Sequence, residues 1–116
     1  MNRAFGMVTF QAFALVASAF ALTLVADEVK AAPATTLVHI GNFTFNQAAI
    51  TVRPGTTVTW VNDDDIPHTV VAQNQAFKSK VLDTGDRFTF TFAKAGQFSY
   101  FCSLHPHMTG KVIVKA

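Results

Sequence analysis

The sequence has little cysteine, little charge and no helical periodicity after residue 35. It contains one cysteine among 116 residues, so no disulfide can form within the chain, and 14% of its residues are charged. The lysines and arginines are scattered, which argues against a nucleic-acid-binding surface. Neither an internal repeat nor a low-complexity linker divides the chain, and its length is that of one domain with one core.

Apolar residues are concentrated at the N-terminus. Residues 5–26 carry no charge, and Arg3 precedes them as the positive residue of an export signal does. Small residues follow at positions 29–34, close to the small-x-small pattern that a signal peptidase cuts. The alternative is an uncleaved membrane anchor, because about 20 apolar residues can span a bilayer.

These features predict an exported protein. We expect a signal peptide over residues 1–34, cut between Ala32 and Thr35, and a mature domain over residues 35–116. After cleavage the domain would lie in the periplasm or another extracytoplasmic compartment, with no stable insertion in the membrane. Its seven basic and five acidic residues leave a small net positive charge.

The mature segment shows the period-two alternation of half-buried strands. Turn-forming residues separate the apolar stretches, as Pro54-Gly55 and Ala95-Gly96 do. The pattern predicts an all-β sandwich or small barrel with strands at residues 37–40, 49–53, 56–61, 68–72, 87–92, 97–102 and 111–115. Strands this short leave little room for an enclosed substrate cavity, so we expect the function at a loop end.

The single cysteine lies among other metal-binding side chains. Cys102, His105 and Met108 follow one another at Cys-x2-His-x2-Met spacing between two predicted strands, and Gly110 would let the second of these strands begin. An unpaired cysteine in an oxidising compartment requires an explanation, and metal binding is one. His68, which follows a proline and opens an apolar stretch, is the best candidate for a fourth ligand.

This set of donors is selective for the metal. Two histidines, one cysteine and a weak axial methionine form the trigonal site of blue-copper electron-transfer proteins. Structural zinc sites use closed sets of cysteine and histidine and do not recruit methionine. The sequence therefore predicts one copper ion, alternating between Cu(I) and Cu(II), held by His68, Cys102, His105 and Met108.

The same residues and their surroundings resemble the cupredoxin family, and the short ligand loop resembles that of amicyanin and plastocyanin-like proteins. Supporting segments are Phe43-Thr44-Phe45, the run over residues 50–62, and Pro67-His68-Thr69-Val70. The resemblance covers residues 38–115. It implies a Greek-key β-sandwich with copper near one end, and a monomeric one-electron carrier, not an enzyme, that docks transiently on redox partner proteins near His105.

Three residues beside the ligands are singled out by this resemblance. Thr69 stands where many relatives have an asparagine that ties the two ligand loops together, and Leu104 stands where proline often precedes the second ligand histidine. Unlike proline, Leu104 has an N–H, which we predict to donate to Cys102 Sγ. The alternative is that the Leu104 amide faces water and the residue only adds apolar surface. Under the resemblance, Leu104, Pro106 and Met108 are expected to supply apolar atoms around His105.

Two other functions are compatible with the same ligand residues. A periplasmic copper chaperone or storage protein could hold Cu(I) with the same ligands, and a cysteine enzyme could use a histidine to activate Cys102. For an enzyme, however, the sequence shows no residue that would orient the histidine and no substrate pocket.

The remaining polar residues of note are expected at the surface. His39 and His107 are expected to face solvent, and Asp63 to Asp65 are expected to form a solvated turn or, alternatively, a docking patch near His68.

Overall fold

The computed structural model describes residues 34–116, which form two four-stranded β-sheets. The strands are β1 (Thr35–Gly41), β2 (Thr44–Phe45), β3 (Ala49–Val52), β4 (Thr56–Asn62), β5 (Val71–Ala72), β6 (Arg87–Phe92), β7 (Gly96–Cys102) and β8 (His105–Val114). The all-β prediction is confirmed for the described residues, among which no helix is long and apolar enough to cross a membrane. The predicted signal peptide lies outside the described residues, apart from residue 34.

The strand order is that of a sandwich whose chain repeatedly changes sheet. One sheet has the order β2-β1-β4-β6 and the other β3-β8-β7-β5. The pairs β1/β4 and β3/β8 are parallel and the remaining pairs are antiparallel. Every connection from β2 to β7 crosses between sheets, so the predicted Greek-key β-sandwich is confirmed.

Alternate residues on facing strands build the core. Val58 and Trp60 on β4, and Tyr100 and Cys102 on β7, are fully buried. The Trp60 ring lies 5.3 Å from the Tyr100 ring and 5.6 Å from the Phe77 ring. A buried side chain of this kind contributes about 1.5–3 kcal/mol relative to an exposed one. The apolar contacts that join the sheets therefore also fix the end of β7, where Cys102 lies.

The predicted strand at residues 68–72 is mostly irregular. Only Val71–Ala72 is a strand, and His68 forms an isolated bridge with Leu82. Pro67 has no N–H, and the N–H groups of Thr69 and Val70 donate to side chains, to Cys102 Sγ at 3.3 Å and to Ser79 Oγ at 2.8 Å. Because side chains accept these two N–H groups, no sheet ladder forms there.

The last predicted strand is longer than expected. β8 begins at His105 rather than at residue 111, so the interpretation of Gly110 as the start of a strand is wrong. Gly110 lies within β8 opposite Tyr100. A Cβ on Gly110 would come within 2.3 Å of Tyr100 Cζ. The glycine is therefore required to make room for the buried tyrosine.

Candidate metal centre

Cys102 is placed by the end of β7 and a break in its pairing with β8. Phe101 pairs with Thr109, but Cys102 pairs with His105, so residues 106–108 have no partner in β7. This bulge allows the short ligand loop to turn His105 back toward the cysteine. Cys102 is the only cysteine of the chain, and its side chain is fully buried.

Three predicted ligands converge. The Nδ1 atoms of His68 and His105 lie 3.7 and 3.6 Å from Cys102 Sγ, and all three donor atoms lie within 4.8 Å of one another. Bonds of about 2.0–2.3 Å, usual for imidazole and thiolate on a first-row metal, separate three donors in a trigonal plane by about 3.5–4.0 Å. The distances to sulfur therefore fit one ion bound by all three residues.

Met108 lies close to this cluster in the chain but contributes little surface. Its side chain is 6% exposed, and it lines a 430 Å³ surface cavity together with Phe43, Leu104, His105, Pro106 and His107. Met108 is thus little exposed itself, but it lines the cavity beside His105, where the sequence predicted that it supplies apolar atoms. Leu104 is 47% exposed, and Pro106 is also exposed.

Hydroxyl groups join the two ligand loops at Thr69. Thr69 Oγ1 lies 2.7 Å from Ser103 Oγ and accepts the Ser103 N–H at 2.7 Å. The Thr69 N–H donates to Cys102 Sγ at 3.3 Å. Thr69, together with Ser103, thus ties the loops at the position where many relatives have asparagine. Sequence reasoning missed Ser103, because nothing in the local pattern says that it lies beside a residue 34 positions earlier.

The environment of Cys102 favours the thiolate. Burial by itself raises the pKa of the thiol, but hydrogen bonds outweigh it: the Thr69 N–H makes the largest contribution and the His68 ring the next. The His105 ring and the Leu104 N–H also lower the pKa, which falls from 9.0 to about 6. Since a metal binds the thiolate and not the thiol, this environment prepares the sulfur for coordination.

We expect the thiol of the metal-free protein to ionise near pH 6, as measured by the ultraviolet absorbance of the thiolate. Between pH 6 and 9 the unfolded chain binds more protons than the folded one, so the stability of the metal-free protein should rise with pH. That contribution is lost as the pH falls through the folded value. Cys102→Ala is the control and should lack both effects; a thiol that ionises near pH 9 would contradict the expectation.

Asp64 and Phe43 contact the two histidines more closely than the sequence indicated. Asp64 Oδ2 lies 2.8 Å from His68 Nε2, on the side of the ring opposite to the sulfur. Phe43 is 54% exposed, and its ring meets the His105 ring edge-on at 5.1 Å. The solvated turn predicted for Asp63 to Asp65 is therefore wrong for Asp64, whose pKa is lowered first by the Phe43 N–H and then by His68.

The remaining histidines lie at the surface as predicted. His107 is exposed, and the His39 side chain is 47% exposed and bonded to Asp63. Neither belongs to the cluster of His68, Cys102 and His105, the one group of potential metal ligands within residues 34–116. This distribution leaves a single centre in the described part of the chain.

A β-sandwich with two histidines and a buried cysteine converging on one point defines a cupredoxin-type copper protein. Residues 32–115 match the family described as copper binding proteins of the plastocyanin/azurin type. The chain belongs to this family, which binds copper, and His68, Cys102, His105 and Met108 form its potential copper site.

Individual relatives agree with this assignment. Amicyanin of Paracoccus versutus is 34% identical over 84 residues. The match covers 68% of this chain and 64% of the relative, so the chain spans less than two thirds of that relative's length. Amicyanin-alpha of Methylorubrum extorquens is 30% identical over 115 residues, covering 90% of this chain and 97% of the relative. The solved structure of a purple cupredoxin from Nitrosopumilus maritimus is 35% identical with a TM-score of 0.66, covering 69% of this chain and 99% of the other.

Proposed function

We propose that the protein is an exported one-electron carrier that exchanges electrons with redox partner proteins outside the cytoplasm. The observation that carries the proposal is the convergence of the His68, Cys102 and His105 donors in a family that binds copper. Met108 would be the weak fourth ligand and would complete the soft donor set of an electron-transfer site. Export is supported by the apolar N-terminal segment that follows Arg3.

The chain's part in electron transfer is to hold the donors still. Bound copper would supply the one-electron couple between Cu(I) and Cu(II). His68 and Cys102 are fully buried, and the Thr69 N–H anchors the sulfur. A donor set fixed in this way changes little between the two oxidation states, and this lowers the cost of reorganisation when an electron arrives or leaves.

Docking is proposed at the surface around His105. The large hydrophobic residues exposed there are Phe43 and Leu104, at 54% and 47% exposure. The His105 ring is partly exposed, lies against Phe43 and has its Nδ1 3.6 Å from the buried sulfur, so it offers a route for the electron to a docked partner. Apolar contact that excludes water, with few charges to pair, suits brief association.

The test is to add Cu(II) to the purified protein and to record visible and EPR spectra and a voltammogram. We expect an intense thiolate-to-copper charge-transfer band, a small copper hyperfine splitting and reversible one-electron cycling. The criterion is the intensity of the charge-transfer band and not the colour of the protein, since one relative with a solved structure is named a purple cupredoxin. Tight retention of Cu(I) with slow, irreversible cycling would favour the chaperone or storage alternative, and a spectrum without the band would refute the ligand assignment.

The midpoint potential should depend on the Leu104 N–H. The Leu104 N–H is the last of the groups that lower the pKa of Cys102, and the backbone hydrogen bond to Sγ that the geometry shows comes from Thr69 at 3.3 Å, so the bond from Leu104 stays a prediction. Such a donor withdraws electron density from the thiolate, weakens its bond to Cu(II) and raises the potential. Leu104→Pro should therefore lower the midpoint potential, by about 50–100 mV if the bond favours the reduced state by about 1–2 kcal/mol.

Leu104→Ala is the matched control, because it keeps the N–H and removes most of the apolar side chain. We expect this variant to keep the wild-type potential and to bind a redox partner more weakly. An unchanged potential in a Leu104→Pro protein that still binds copper would show that Leu104 contributes only apolar surface.

A further inference from the structure

Asp64 makes more contacts to the metal centre than its neighbours Asp63 and Asp65, which with it form the acidic run of residues 63–65. Its Oδ2 accepts from His68 Nε2 at 2.8 Å and from the Phe43 N–H at 3.0 Å, while its Oδ1 accepts the Asn42 N–H at 3.0 Å. The Asp64 side chain is 14% exposed and that of His68 is fully buried. In contrast, Asp65 is exposed.

The contact to His68 decides which ring nitrogen is free. An ionised carboxylate can only accept, so His68 Nε2 must carry the proton in this bond. In a neutral imidazole the other nitrogen, Nδ1, then has its lone pair free, and Nδ1 is the atom that faces Cys102 Sγ at 3.7 Å. The carboxylate thus selects the tautomer that a metal ligand at this position needs.

The contacts to the backbone hold a strained turn. Asn42 and Phe43 both have left-handed backbone angles, with φ of 52° and 57°, which asparagine tolerates but which are unfavourable for a bulky residue such as Phe43. Their two consecutive N–H groups point at the one carboxylate. This turn places the Phe43 ring edge-on to His105 at 5.1 Å and to His68 at 6.0 Å.

We propose that Asp64 is a positioning residue of the metal centre, which holds the Nε2 proton of His68 and the turn carrying Phe43 with the same carboxylate. It thereby joins a buried ligand to the exposed aromatic side chain of the docking surface. The expected effects on copper affinity and midpoint potential rest on the proposed function. The hydrogen bonds of Asp64 and the ring contact of Phe43 do not depend on it. A negative partner also makes the imidazole a stronger donor, which favours Cu(II) over Cu(I).

The acidic run supplies a matched set of variants. Asp64→Ala removes the three side-chain hydrogen bonds, and Asp64→Asn removes the charge but keeps an acceptor. Asp65→Asn removes an equal charge one residue away without touching the centre. Two measurements on the metal-free protein at one pH report the contacts: nitrogen NMR of the His68 tautomer, and the NOE between the Phe43 and His105 rings. Copper affinity and the midpoint potential report the consequence.

In the wild-type protein we expect the Nε2–H tautomer of His68 and a clear NOE between the rings. Asp64→Ala should lose both, bind Cu(II) about 10- to 100-fold more weakly and have a higher midpoint potential. Asp64→Asn should have a copper affinity and a midpoint potential between those of the wild type and Asp64→Ala. Asp65→Asn should resemble the wild type in all these measurements. Phe43→Leu should keep the Nε2–H tautomer of His68. This variant therefore separates the contact of Asp64 to His68 from its contact to the turn that carries Phe43.

The proposal and the ligand assignment can fail separately. If the copper-loaded wild type has no charge-transfer band, the ligand assignment is wrong, but the NMR measurements still decide the role of Asp64. If Asp64→Ala keeps the His68 tautomer and the ring contact, or if Asp65→Asn shifts the potential as much as Asp64→Asn does, Asp64 is not a positioning residue. A fall in thermal stability alone would likewise overturn the proposal.

Discussion

Cys102→Ser should abolish the intense visible band that we expect of the copper-loaded protein. The band requires a thiolate bound to Cu(II), and a serine hydroxyl does not ionise in the accessible pH range, whereas the Cys102 thiol has its pKa lowered to about 6. The loss should be complete rather than partial, because Cys102 is the only thiol in the chain. Copper binding should also weaken, since oxygen is a harder donor than sulfur.

This substitution should leave the fold in place. Serine is slightly smaller than cysteine, and its hydroxyl can accept the N–H that Thr69 now donates to the sulfur. Circular dichroism and thermal unfolding of the metal-free variant are the control, and we expect a loss of about 1–3 kcal/mol for placing a hydroxyl in a fully buried position. A folded Cys102→Ser protein that still shows the band would contradict the copper assignment.

Gly110→Ala should cause the largest loss of stability. The added Cβ would lie 2.3 Å from Tyr100 Cζ and 2.4 Å from its hydroxyl oxygen. Tyr100 cannot move aside easily, because it is fully buried and packs against Phe45 at 4.7 Å and Trp60 at 5.3 Å. Overpacking of a core costs about 1–3 kcal/mol and sometimes more, so we expect the upper end of this range.

Calorimetry of the metal-free protein measures this effect. A loss of about 3 kcal/mol corresponds to a fall in Tm of roughly 12–24 °C for a domain of this size. Gly41→Ala is the matched control, because its added Cβ meets nothing within 4 Å, and it should change the free energy of unfolding by less than about 1 kcal/mol. Tyr100→Leu in the same chain should recover part of the loss. Equal stability of Gly110→Ala and Gly41→Ala would show that the sheets adjust without strain.

The sequence by itself predicted the class of fold and the four proposed ligands, three of them from their spacing. Alternation of apolar and polar residues predicts strands directly, since side chains point to opposite faces of a strand in turn. Cys102, His105 and Met108 lie within seven consecutive residues, so their spacing is readable without a structure. The chemistry of thiolate, imidazole and thioether then indicates copper.

Only the tertiary structure decided which distant residues meet these ligands. Asp64 bonds to the backbone 21 and 22 residues before it, and Thr69 reaches a sulfur and a hydroxyl 33 and 34 residues after it. Such contacts depend on strand register and on how the two sheets pack, and local patterning carries no information about either. The same holds for Gly110, whose lack of a side chain is explained by the buried ring of Tyr100 on the neighbouring strand.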